Sequence, residues 1–222
     1  MGQSDRDKLV YQHIWETEPD REPSETFRKM INLAITAASA VGRQARVADL
    51  GSGSGRHARW AAQCGCHVEA VDYDHTAILR QRSVPACRYT LTEADVREWL
   101  DPQRRAWWDA VACFDSLHHM VSDLDALGTL LDRVADIICQ GSFLLVTLLC
   151  NITYSSGVVP AERLNVSPDE AEGYLRQHFH DYVILTMRRK PVRIARTLTM
   201  DELDRVITAS YSAERVLVLL RR

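Results

Sequence analysis

Val47-Ala48-Asp49-Leu50-Gly51-Ser52-Gly53-Ser54-Gly55 is the stretch on which the reading of this chain turns. An apolar strand, Ala45 to Leu50, carries an acid near its end, and glycines then occupy every second position before a helix over roughly 56–63. Glycines at that spacing let the backbone turn sharply and approach a ligand without side-chain collision. In open α/β sheets, ligands sit at the carboxyl ends of strands, near the point where strand order reverses. A dinucleotide site would need GxGxxG, and Arg56 stands where the third glycine belongs. Asp49 also argues against that site, because it repels a diphosphate and attracts an ammonium or sulfonium.

Outward from this run, strands and helices alternate. Upstream, Ser24 caps a helix whose apolar positions Phe27, Met30, Ile31, Ala34, Ile35 and Ala38 recur with helical period. Downstream, His67 to Val71 is a second strand, followed by a helix through Ile78 and Leu79. Cys87 to Leu91 is a weaker third strand, and Asp109 to Phe114 a fourth, its start anchored by Trp107 and Trp108. Leu124 to Ile138 is an apolar helix, and Ser142 to Leu149 a buried fifth strand. This order predicts an α/β fold: a doubly wound, mostly parallel sheet with right-handed crossovers, covered on both faces.

Four landmarks then fall in order. Asp49 with Gly51, Ser52, Gly53 and Gly55 resembles motif I, (D/E)xGxGxG, of the class I, Rossmann-like S-adenosylmethionine-dependent methyltransferases. Val71-Asp72-Tyr73-Asp74 ends the second strand, where that family's acid holds the ribose hydroxyls. Ala94-Asp95-Val96 resembles the pair that reads adenine, Asp95 at the amino group and the Val96 backbone at a ring nitrogen. Asp109 to His119 resembles motif IV, whose Ser-Leu-His-His ending recurs in small-molecule members. The resemblance covers about residues 25–150 and implies S-adenosyl-L-methionine as cofactor, with Tyr73 and Phe114 beside it. It also implies a lid from the N-terminal helix (residues 5–18), where Tyr11 and Trp15 either close over the ligand or simply pack.

Each acid has a structural alternative: Asp49 and Asp72 as caps of the helices after their turns, Asp95 as cap of a helix holding Trp99 and Leu100. Beyond strand four, His118 and His119 lie where the methyl should project, and a histidine there titrates near neutral pH and takes a proton from an amine or hydroxyl. Asp115 either orients one of them or binds a cationic acceptor. Adjacent histidines point apart and no further ligand spacing supports them, so no metal site is expected.

After Cys150 the rhythm breaks. Residues 151–166 read as a loop, and Ser167-Pro168-Asp169-Glu170 starts a helix. Tyr182 to Met187 and Val192 to Ala195 pair as strands around Arg188-Arg189-Lys190-Pro191, Thr199 caps a helix over about 200–209, and Arg215 to Leu220 is a terminal strand. The final strand pair of the family is therefore expected either to be incomplete or to have the strands near 182–195 standing in for part of it. The expected division is one domain: lid 1–23, cofactor core 24–150, substrate cap 151–197, and helix and strand 198–222. The basic cluster Arg188, Arg189, Lys190, Arg193 and Arg196 either meets an acidic substrate or is a solvated face.

The 222 residues suffice for one full core, and the net charge of −3 argues against nonspecific binding to a phosphate backbone. No apolar run approaches the ~18–20 residues of a membrane helix, and residues 1–8 are too polar for a signal peptide. The six cysteines form no CxxC pair, which fits a reducing cytoplasm, so the Asn151 and Asn165 glycosylation triplets read as chance. The expected acceptor is the N, O or C of a small metabolite, with specialised metabolism as the setting. Three rivals stand beside it. A nucleic-acid enzyme would carry Asn/Asp-Pro-Pro-Tyr after strand four, which is absent here; a binder of the cofactor without transfer chemistry and an aminopropyl transferase are the others. Oligomeric state is not legible in the sequence.

Overall fold

The computed structural model describes residues 22–83, 89–100, 108–154, 163–200 and 205–222, with backbone alone at 154, 194–200 and 205–211. Its reference strand is β1, Arg46–Leu50. The side chains of β1 alternate between two apolar layers: Val47 faces one and Ala48 the other. β1 pairs in parallel with β2 (His67–Asp72) on one side and β4 (Trp108–Cys113) on the other. β3 (Thr90–Glu93) lies outside β2, and β5 (Ile138–Tyr154) outside β4. The chain thus winds outward from β1 in one direction, returns, and winds outward in the other.

One face is covered by α1 (Glu25–Ser39) and α2 (Arg56–Gln63), through Phe27, Met30, Ile31, Ala34, Ala58 and Ala61. Ser24 caps α1 as expected, its hydroxyl accepting from the Phe27 N–H at 3.1 Å. Next come α3 (His75–Ser83) and α4 (Val96–Trp99). The opposite face carries α4, α5 (Leu124–Asp136) and α6 (Pro168–His178), with Trp99, Leu127, Leu131, Leu175 and Phe179 in one core. Ser167 and Glu170 form the expected reciprocal cap at the start of α6.

The C-terminal third departs from the sequence reading. β6 runs unbroken from Val183 to Met200, and β7 from Arg205 to Arg221. β7 is antiparallel to both neighbours and inserted between them, so the sheet order is β3-β2-β1-β4-β5-β7-β6. The expected helix over 200–209 is therefore a strand from Arg205 onward. Val206, Ile207 and Thr208 are β-branched and pair with Thr199, Leu198 and Thr197, a ladder that suits stiff side chains better than a helix does. No hairpin forms at Arg188–Pro191, because β6 is an edge strand and tolerates a proline that lacks an N–H. The final strand pair is complete, with β6 from Val183 supplying the member that the strands near 182–195 are expected to stand in for. Of the segment expected as a cap over 151–197, β5 extends to Tyr154, α6 buries Ala171 and Leu175 in the core, and β6 joins the sheet.

Of the basic cluster, Arg188, Arg189, Lys190 and Arg193 are exposed on the edge strand. Arg189 is paired with Asp169 and Glu172 of α6. The Asn165 carboxamide holds both the N–H and the C=O of Ile152 where β5 bulges at Asn151 (φ 48°), so this residue of a glycosylation triplet is a strut. No helix among the described residues is long and apolar enough to cross a membrane.

Candidate active site

Strand order reverses between β1 and β4, and the turns leaving these two strands are fitted to one another. Gly51 has φ 70°, and a Cβ added there would collide with the Ser116 side chain, whose hydroxyl donates to the Leu50 carbonyl at 2.9 Å. The Gly51 and Ser52 N–H groups donate to the Val71 carbonyl, and Gly53 N–H to Asp72 Oδ2 at 2.8 Å. Gln81 of α3 is fully buried and donates from its amide to Ser52 Oγ and the Gly53 carbonyl, at 2.9 and 2.8 Å. The glycine turn is thus held open by the ends of β2 and β4 and by α3.

Two acids face this turn. Asp49 is 1% exposed, and its Oδ2 has no hydrogen-bond partner among the described residues. Burial pushes its carboxyl up to about 7, while the Arg56 charge pulls the other way. A buried carboxylate oxygen left unpaired is costly, and an ammonium would satisfy it. Asp72 is buried and raised by that burial. Its oxygens accept from Gly53 N–H and from Asp74 N–H at 2.9 Å, with the Tyr73 N–H as a further donor, and a carboxylate keeps capacity for one more, such as a ribose hydroxyl. It does not cap α3: Asp74 does, through Thr76 N–H and Ala77 N–H. Tyr73 is 63% exposed. These residues fit a ligand with an ammonium and a vicinal diol.

The adenine pair has the structural role weighed for it. Asp95 caps α4 through Arg97 N–H at 2.7 Å, and the Arg97 guanidinium spans both its oxygens, which holds the carboxyl below its usual range. Val96 is buried in the first turn. Tyr11 and the N-terminal lid lie outside the described residues.

The far side of the crevice is built from the end of β4. Phe114 is nearly buried, its ring 4.6 Å from that of His57, with Arg56 and Arg215 over it at 5.5 and 5.0 Å. Asp115 sits at φ 54°. Its Oδ1 accepts from Arg215 Nε at 2.7 Å and Thr147 Oγ1 at 2.9 Å, and its Oδ2 from Arg215 Nη2. Its carboxylate is therefore spent on β7 and β5, and its hydrogen bonds go to neither histidine. His118 is 1% exposed and its Nδ1 has no partner. The His119 ring lies 3.8 Å away. Burial drives His118 down to about 4 and His119 well below its ordinary value, with Arg163 adding to both. The expectation of titration near neutral pH is thus corrected: both rings are neutral there.

Arg215, Thr147, Arg56, His57 and Gln81 were not singled out in the sequence. Gln81 left a trace, as the polar residue on the buried α3 face with Ala77 and Ile78. Arg215 could not be found, since its partner is a hundred residues away.

A family model described as a methyltransferase domain matches residues 47–141. No curated protein sequence matches the chain. Among solved structures, TehB from Haemophilus influenzae superposes with a TM-score of 0.59 at 13% identity, over 85% of this chain. This chain spans only 61% of the length of that protein. A Burkholderia thailandensis 1,6-didemethyltoxoflavin-N1-methyltransferase, solved with that substrate and S-adenosylhomocysteine bound, matches at 0.53 and 21% identity, over 98% and 86% of the two chains. A methyltransferase dependent on S-adenosylmethionine from Archaeoglobus fulgidus matches at 0.54 and 15% identity, over 89% and 97%. The glycine turn and the sheet order converge with these matches: the chain has the Rossmann-like fold shared by S-adenosylmethionine-dependent methyltransferases, and its residues 47–141 resemble a methyltransferase domain.

Proposed function

We propose that the chain binds S-adenosyl-L-methionine in the β1–β4 crevice and transfers its methyl group to the N, O or C of a small molecule. The observation that carries this reading is the buried, unpaired Asp49 Oδ2 beside the glycine turn. When bound, the cofactor supplies an electrophilic methyl on a sulfonium, which leaves as a thioether. Asp49 holds the ammonium of the methionine moiety, and Asp72 holds the ribose hydroxyls. The glycine turn lets the backbone lie against the ligand. The Val96 N–H serves the adenine, and Asp95 joins it only if Arg97 swings away.

With so good a leaving group the protein's work is alignment and exclusion of water. Phe114 walls the methyl-bearing side with apolar surface. His118 and His119, neutral at pH 7, accept or orient the proton that an N–H or O–H acceptor loses. The small-molecule acceptor has support from the Burkholderia thailandensis enzyme, which acts on one. The test is calorimetric titration with S-adenosylhomocysteine, followed by an acceptor screen that reads its release from S-adenosylmethionine. Micromolar binding supports the reading, and no binding to the folded chain contradicts it.

A further inference from the structure

The acceptor side of the crevice is not electrically neutral. Two guanidiniums, Arg56 and Arg215, lie over the Phe114 ring, and the carboxylate hydrogen-bonded there is Asp115. Arg215 is the more enclosed, with 19% of its side chain exposed, against an Asp115 that is 23% exposed. Its Nε and Nη2 form a two-point pair with Asp115, which Thr147 in turn fixes from β5. That pairing uses Nε–H and one Nη2 hydrogen, and among the described residues the two Nη1 hydrogens and the other Nη2 hydrogen have no partner. These donors form the end-on edge of the guanidinium, and an anionic oxygen takes a shorter and stronger bond from them than a neutral one does. His118 Nδ1 is a buried polar atom without a partner among the described residues, and it lies within the field of the same arginine.

We propose that the methyl acceptor is an anion, a small molecule bearing a carboxylate, and that Arg215 Nη1 holds one of its oxygens. Asp115 is a positioning residue: it locks the guanidinium with the free edge available, and Arg56 provides the second positive charge that offsets the approach of the acceptor. The pair with Asp115 leaves the end-on edge of the guanidinium, Nη1 with the second Nη2 hydrogen, for the acceptor. This assignment rests on the reading of the crevice as the methyl-transfer site.

The experiment loads the full chain with S-adenosylhomocysteine and measures binding of three carboxylates of different shape, each against its own amide. The probes are benzoate, indole-3-acetate and N-acetylglycinate, followed by ligand-observed NMR. At least one acid should bind tenfold or more tightly than its amide. That preference should fall at least tenfold in Arg215→Lys, whose single ammonium cannot serve Asp115 and a ligand with the same geometry. It should vanish in the doubly neutral Asp115→Asn/Arg215→Gln. Because removing one partner of an enclosed pair endangers folding, the double variant leaves no orphaned charge, and Arg215→Lys decides alone if it fails to fold. Acids and amides binding alike across the set overturn the proposal, as does a preference that survives the variants with S-adenosylhomocysteine binding intact. If the parent chain does not bind S-adenosylhomocysteine at all, the methyl-transfer reading fails instead.

Discussion

Replacing Asp49 by Asn keeps the shape of the side chain and removes its charge, which should favour folding more as pH rises and should weaken the binding of ligand. Burial raises the Asp49 carboxyl from 3.8 to about 7 in the folded chain. The folded state then binds more protons than the unfolded one between those values, so stability is lost as pH rises through that window and levels off above it. At 1.36 kcal/mol per pKa unit, the full penalty is about 4 kcal/mol, of which about 3 kcal/mol develops between pH 5 and pH 8. Urea denaturation should therefore find Asp49→Asn gaining on the parent by about that amount across this range when no ligand is present. With S-adenosylhomocysteine that advantage should shrink. An ammonium bonded to the carboxylate contributes roughly 1.5–3 kcal/mol, so the variant should bind about ten- to a hundredfold more weakly at pH 8. Binding should also expel the proton that Asp49 holds, so parent affinity should rise tenfold or more from pH 5 to pH 7. A stability difference that is the same at pH 5 and pH 8, together with equal ligand affinity, would refute the assignment of Asp49 as the ammonium partner.

Asp72→Ala should weaken S-adenosylmethionine about ten- to a hundredfold, measured by calorimetry, while the chain stays folded. His118→Ala and His119→Ala should leave cofactor affinity unchanged, and at least one should slow single-turnover transfer by ~10²–10⁴. Since burial holds both imidazoles below their ordinary range, with His118 at about 4, transfer should show no histidine titration between pH 6 and pH 8. Gly51→Ala faces both a positive φ and the Ser116 side chain, and should cost more than the ~1 kcal/mol typical of a substitution, read as a lowered melting temperature.

The centre of the parallel sheet was legible because β1, β2 and β4 are short apolar runs that each end in a turn, whereas β3, Thr-Leu-Thr-Glu, lies further along than the expected Cys87 to Leu91. Glycine spacing and acid placement carried the crevice for the same reason: both are local in sequence. The C-terminal hairpin was not legible. Its strands contain Arg188-Arg189-Lys190-Pro191 and Asp-Glu-rich flanks, which read as breaks, and only pairing with β5 and its own partner makes them strands. Asp115 was placed correctly at the end of β4, but its partner was invisible. The guanidinium that claims it comes from β7, whose position between β5 and β6 is a property of the whole sheet. The histidines were located but their chemistry was misjudged, since titration depends on burial that a sequence does not display.

The central claim, that this crevice holds S-adenosylmethionine with Asp49 and Asp72 as its anchors, is tested most directly by a crystal structure of the chain with S-adenosylhomocysteine. The ammonium should lie within hydrogen-bonding distance of Asp49 Oδ2, both ribose hydroxyls should meet Asp72, and the sulfur should face Phe114 and His118. A ligand bound elsewhere, or one seated in the crevice with Asp49 Oδ2 still unpaired, would contradict the account.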